Sequence, residues 1–138
     1  MLKKDLVFLR VMQWLKPGAK TTTNGNTSAA LDVRQFEAVM VTFNCAKASA
    51  GTLPTMTPGI VHSDAEAGSY AALTGVTWLD EDRAEVDEVT DAADVAACAI
   101  IDVRDTDGWI KFAGAIAGAN ASFDNGVTVH VLDKYPSL

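Results

Sequence analysis

Two histidines, His62 and His130, and two cysteines, Cys45 and Cys98, are the residues of this 138-residue chain best suited to nucleophilic or metal chemistry. They do not cluster. His62 and Ser63 are adjacent, so on a strand they project to opposite faces. No G-x-S-x-G turn is present to raise a serine; "AGSYA" around Ser69 holds only a fragment of one. Zinc requires closely spaced Cys and His ligands, and none are so spaced. "DEDRAEVDEVTD" (80–91) carries oxygen ligands for calcium, but Glu85 stands where an EF-hand loop needs glycine. "DVRDTDG" (102–108) reads more simply as a hairpin turn, and "GAIAGAN" (114–120) lacks the lysine of a phosphate loop. The sequons at Asn26 and Asn120 read as chance matches in the absence of a secretory signal. The expectation is a protein that is not an enzyme, with no cofactor and no bound metal.

Charge narrows the partners. The net charge is -7, but five basic residues (Lys3, Lys4, Arg10, Lys16, Lys20) stand against one acid, Asp5, in the first twenty positions. Between His62 and Asp107 there are thirteen acids and two arginines. That density repels a phosphate backbone, so direct nucleic-acid binding is not expected. A basic N-terminus suits an acidic protein surface instead. The start "MLKKDLVFLRVMQWLK" is interrupted by Asp5 and Arg10 and lacks a small-residue cleavage site, and no run approaches the roughly 20 apolar residues of a membrane helix. The expectation is therefore no membrane partner and synthesis in a cytoplasm.

The elements that must position any site are short strands. The chain is long enough for one domain, and its 49% apolar, 21% charged composition is that of a globular body. "EAVMVTFN" (37–44) places Val39, Val41 and Phe43 on one face. "GIVHS" (59–63), "VTWL" (76–79) and "AACAIIDVR" (96–104) read as further strands. "DTDG" (105–108) reads as a hairpin turn into "WIKFAGAIA" (109–117). "VTVHVL" (127–132) has the clearest alternation, with Val127, Val129 and Val131 inward and Thr128 and His130 outward. "AKASAGTLPTMTP" (46–58), with two prolines, reads as a loop, and "NASFDNG" (120–126) as a lead-in. Strands of this kind separated by Gly, Asn and Asp predict an all-β fold, a β-sandwich or jelly-roll-like body spanning 21–138. Both cysteines lie in apolar, strand-like contexts and read as buried free thiols.

Residues 1–20 read as an N-terminal arm. Leu2, Leu6, Leu9 and Met12 fall at helical spacing, although "LVFLRVMQW" also suits a strand, and Lys16-Pro17-Gly18 is a stop. Trp78 and Trp109 read as core, whereas Trp14 lies outside the predicted sandwich. The apolar side chains of this arm must be covered, either by folding back on the body or by docking on another subunit. On the second reading the candidate partner-binding residues are Lys3, Lys4, Leu6, Phe8, Met12 and Trp14.

One longer pattern goes beyond single residues. "TTNGNTSAALD" (22–32), then Gln35-Phe36 and a Val-rich strand, then "VHSDAEAGSYAAL" (61–73), and finally the run from Arg104 to Leu132 follow one another in order. This ordering, over about Thr27 to Leu132, resembles small structural proteins of tailed bacteriophages; Gln35 stands where that group often has glycine. The resemblance implies a jelly-roll-like head protein that decorates or cements the capsid, often as a trimer at three-fold positions. The implied partners are the major capsid protein and neighbouring copies, with the capsid surface of the virion as location. Some similar proteins belong instead to the head–tail joint or tail. A carbohydrate-binding β-sandwich is a further reading, and it requires an exposed aromatic platform.

Overall fold

Residues 9–133 are described by the computed structural model, in which ten strands form two antiparallel sheets. They are β1 (Leu9–Leu15), β2 (Ala19–Lys20), β3 (Leu31–Asp32), β4 (Phe36–Cys45), β5 (Ala50–Thr57), β6 (Ile60–Ser63), β7 (Ala71–Ala72), β8 (Val95–Asp102), β9 (Trp109–Phe112) and β10 (Ala115–Asp133). The larger sheet runs β1-β10-β4-β8, with β2 and β5 also paired to β10; the smaller runs β3-β9-β6-β7. The all-β sandwich expected from the alternation is what the chain forms.

The core lies between the sheets. Val39, Val41 and Phe43 from β4, Val127, Val129 and Val131 from β10, and Ala97, Ala99 and Ile101 from β8 are all buried. Ile60, Ile110 and Phe112 face them from the smaller sheet. Phe43, Trp78 and Phe112 meet edge-on or tilted, with ring centroids 5.2–6.3 Å apart. Each such ring contributes about 1.5–3 kcal/mol by burial, plus about 0.5–1.5 kcal/mol from ring geometry.

β10 carries the architecture. Residues 115–122 pair with β5, 123–124 with β2 and 125–133 with β4, with β1 on the other side of 127–132. The change of partner requires a bend, supplied by register shifts after Ala117 and Ala119. Gly118, at φ +101, lies at the first shift. A Cβ there would sit 2.8 Å from the carbonyl oxygens of Thr52 and Leu53, so only glycine fits.

Several local readings change. Residues 9–15 form neither a helix nor an arm clear of the body: β1 is hydrogen-bonded along β10 from Leu9↔Leu132 to Leu15↔Val127. A helix would leave that edge of β10 unpaired, and the strand satisfies it. Residues 50–57 are a strand rather than a loop, because Pro54 falls where the ladder skips from Thr55↔Ala117 to Thr52↔Ala119 and needs no N–H. "DTDG" closes no hairpin; it crosses from β8 in one sheet to β9 in the other. "NASFDNG" lies inside β10. "VTWL" is not a strand, although Trp78 is buried and Leu79 exchanges both backbone hydrogen bonds with Cys98. The acidic stretch after it is tied down by Val89, which exchanges two 2.8 Å backbone hydrogen bonds with Met56.

Candidate functional site

The fold keeps the histidines, the cysteines and Ser63 from forming one site. His62 Nδ1 accepts a 3.2 Å hydrogen bond from the Asp107 amide and lies 3.5 Å from the Asp107 carboxylate. Ser63 is buried, and its Oγ accepts from the Ala65 amide. His130 stands on the larger sheet, away from both. Cys45 is buried; desolvation, reinforced by Asp124 and Asp94, pushes its thiol up to about 12, which keeps it protonated and unreactive at neutral pH. Cys98 is half-buried, and both cysteines are free. Among the described residues, no three His, Cys, Asp or Glu side chains gather as a metal site. Asp80 instead folds its own loop by accepting the amides of Asp82 and Ala84. No described helix is long and apolar enough to cross a membrane.

Of the residues read as partner-binding, Lys3, Lys4, Leu6 and Phe8 lie outside the described residues. Met12 pairs across from Val129, and Trp14 donates its indole N–H to the Ala29 carbonyl at 2.8 Å. Both pack on the core as half-buried side chains. They hold the base of the N-terminal segment to the body.

The outer face of the larger sheet is the first notable surface. Its cross-strand rows follow from the register. Val11, His130, Met40 and Ile100 form one row; Gln13, Thr128, Thr42 and Cys98 form the next. No Asp, Glu, Lys or Arg stands in these rows, although the chain carries a net charge of -7. Val11 is 59% and Ile100 74% exposed. Exposed apolar side chains on a flat, uncharged sheet face suit contact with another protein surface.

The second surface is a cleft of about 820 Å³ at one end of that sheet. Phe36, Ala38 and Ile100 form its apolar floor, and Arg34 and Arg104 stand at its walls. The two arginines are held in the same way. In Asp32-Val33-Arg34 the aspartate accepts the arginine amide at 3.1 Å, Nε at 2.9 Å and Nη2 at 2.6 Å. In Asp102-Val103-Arg104 the corresponding distances are 3.0, 3.0 and 2.6 Å. Hydrogen bonds from Arg104 hold the Asp102 carboxyl down to about 2, and those from Arg34 lower Asp32. Arg34 also lies over the Trp109 ring, 5.6 Å from its centroid. Each guanidinium is thus fixed by the aspartate two residues before it; of the other acids of the lining, Glu37 adds to the negative field at Arg104 and Asp107 lies beside His62. The doubled Asp-Val-Arg was visible in the sequence, but its convergence on one cleft depends on β3 and β8, which lead into the two turns, lying in different sheets.

No known family profile matches the chain, and no curated protein matches it by sequence. Solved structures do. The SPBc2 prophage-derived protein YomS matches with a TM-score of 0.52 and 12% identity, over 91% of this chain and 93% of that one. The chain therefore shares its fold, nearly end to end, with a prophage-derived protein. A xylan-binding domain from CBM 22 matches at TM-score 0.46 and 9% identity, over 80% of this chain and 67% of its own. The structure of infectious bursal disease virus, Gx strain, matches at TM-score 0.49 and 12% identity, over 93% of this chain and 33% of its own.

Proposed function

We propose that this protein is a structural component of a tailed-phage head that cements or decorates the capsid, binding the major capsid protein and neighbouring copies of itself. The observation that carries this reading is the uncharged outer face of the larger sheet, with Val11 and Ile100 exposed on an otherwise acidic chain. The shared fold with a prophage-derived protein supports a phage setting. Such a role needs no reacting group. Contacts spread over a flat face and the N-terminal residues Lys3, Lys4, Leu6, Phe8, Met12 and Trp14 add binding free energy to the assembled shell by mass action. Trimers at three-fold positions and a place on the outer capsid surface belong to this reading.

A glycan-binding role would need a free aromatic platform. Among the described residues, Trp78 is buried, Trp14 is bonded to Ala29, Trp109 lies under Arg34, and Tyr70 lies under Lys111, whose Nζ is 4.3 Å from the ring centroid. The test is particle stoichiometry. Virions purified on a density gradient are quantified by mass spectrometry for this chain against the major capsid protein. A ratio near one supports cement or decoration, and a ratio of a few percent reassigns the chain to the head–tail joint or tail. Absence from particles overturns the phage-structural reading.

A further inference from the structure

The larger sheet runs β1-β10-β4-β8, so β1 and β8 are its edges. The β8 edge is occupied at its middle, where Cys98 exchanges backbone hydrogen bonds of 2.9 and 3.0 Å with Leu79. That pair of bonds also sets the direction of the backbone groups across the sheet. In antiparallel pairing the N–H and C=O of one residue point to the same neighbour, and the direction alternates along each strand. Cys98 points away from Thr42, so Thr42 bonds to Thr128, and Gln13, opposite Thr128, points out of the sheet. By the same alternation Arg10 and Met12 bond to β10, whereas Leu9, Val11 and Gln13 turn their N–H and C=O to the open side. Among the described residues, Val11 and Gln13 meet no backbone partner there. An open edge is a template for another strand, and proteins that keep one free place charge on it. β1, "LRVMQWL", carries one charge, Arg10, and that guanidinium is engaged within its own chain by Asp133 at 2.7 Å and the Phe36 ring. Val11, at the centre of the three open positions, is 59% exposed.

We propose that a second copy of this chain pairs along β1, antiparallel and about a two-fold axis at Val11, so that the two larger sheets become one. Val11 then lies opposite the partner's Val11, and Gln13 opposite the partner's Leu9, which satisfies the open backbone groups on both sides. The same register sets Arg10 against the partner's Met12, so no like charges meet. Charge also selects the edge. A chain of net charge -7 resists meeting itself through its acidic loops, whereas the rows that end at Val11 and Gln13 hold no charge. The row Val11, His130, Met40 and Ile100 continues into its counterpart, and one uncharged face spans both copies. A head-to-tail pairing of β1 on β8 meets Leu79 instead. The contact belongs to the free chain and does not rest on the capsid reading.

The full-length chain is examined by sedimentation equilibrium across a dilution series, with hydrogen exchange followed by NMR at both ends of the series. The expected result is a dimer that dissociates on dilution, with the amides of Val11 and Gln13 slow to exchange in the dimer and fast in the monomer. Val11→Pro removes an N–H that β10 does not use, so the strand can keep its place while the edge is blocked. It should be monomeric throughout, with the Met12 amide still protected. Val11→Lys serves where the proline variant fails to fold: it sets two lysines directly opposite and should raise the dissociation constant at least roughly tenfold. Ile100→Asp, at the far side of the face, should leave the dimer intact. A chain that is monomeric at every concentration overturns the proposal, as does a dimer whose Val11 and Gln13 amides exchange at unprotected rates. An assembly abolished by Ile100→Asp and indifferent to both Val11 variants overturns it in favour of contact between outer faces.

Discussion

The two faces of the larger sheet are built from alternate residues of the same strands, yet they answer to different demands. The inner face, with Val39, Val41, Phe43, Val127, Val129 and Val131, is buried, and folding accounts for its lack of charge. The outer face, with Met40, Thr42, Thr128, His130 and Ile100, is equally uncharged, and folding does not account for it. An acidic chain in water places its charges on open surfaces unless something else is to cover them. Here they gather instead in the irregular stretch after Trp78 and at the sheet ends. The difference teaches that polarity alternation locates a core, and a solvent-side face that omits charge locates a contact surface.

The comparison breaks most visibly from the inside. Phe43→Ala removes a ring shared by Trp78 and Phe112 and should cost about 3–5 kcal/mol in urea unfolding. A loss below about 1 kcal/mol would mean the aromatic cluster is not the packed centre. Asn26→Ala should cost less, about 1–3 kcal/mol. It deletes the acceptor of the Asn125 amide at 2.8 Å and the donor to the Gly114 carbonyl at 3.1 Å, both buried. Asn26 is fully buried, so its sequon cannot be an acceptor in the folded protein. On the outer face, Ile100→Asp should change stability by no more than about 0.5 kcal/mol. The same substitution should strip the protein from particles in a co-sedimentation assay, and unchanged co-sedimentation would remove the outer face from the binding surface.

Much of the sandwich was legible because its strands alternate cleanly. Val39, Val41 and Phe43 in β4 and Val127, Val129 and Val131 at the end of β10 are inward residues that are β-branched or aromatic, so period two stands out. Residues 9–15 were harder: Leu9 and Met12 satisfy a helical spacing, and only the free edge of β10 decides for a strand. β5 was hidden by Pro54 within it and Pro58 just after it, since the bulge that tolerates Pro54 is a property of the pairing and not of the segment. "DTDG" has turn chemistry whether it returns within a sheet or crosses between sheets, and sequence does not distinguish the two. The uncharged face was likewise out of reach, because it is assembled from single residues on four strands whose order is set by tertiary pairing.

The smallest effect tests the rim, where charge is kept off the face and locked within single turns. Asp102 is held at about 2 by hydrogen bonds from Arg104, so it binds protons more weakly folded than unfolded. The pairing therefore favours the fold above the ordinary carboxylate range, and that contribution is lost as pH falls toward about 2. Both groups are exposed and screened, which keeps the effect on stability small, so titration is the better measurement. The Asp102 side-chain carbonyl, followed by NMR, should titrate near 2 in the native protein and near the ordinary value of about 3.9 in Arg104→Ala. Asp32 should move in the same direction when Arg34 is replaced by alanine, since its carboxyl is lowered by the same arrangement. If Asp102 already titrates near 3.9 with Arg104 in place, the arginine is not held in solution. It would then be a free cation at the cleft wall, and the neutral rim on which the contrast between face and edge depends would be lost.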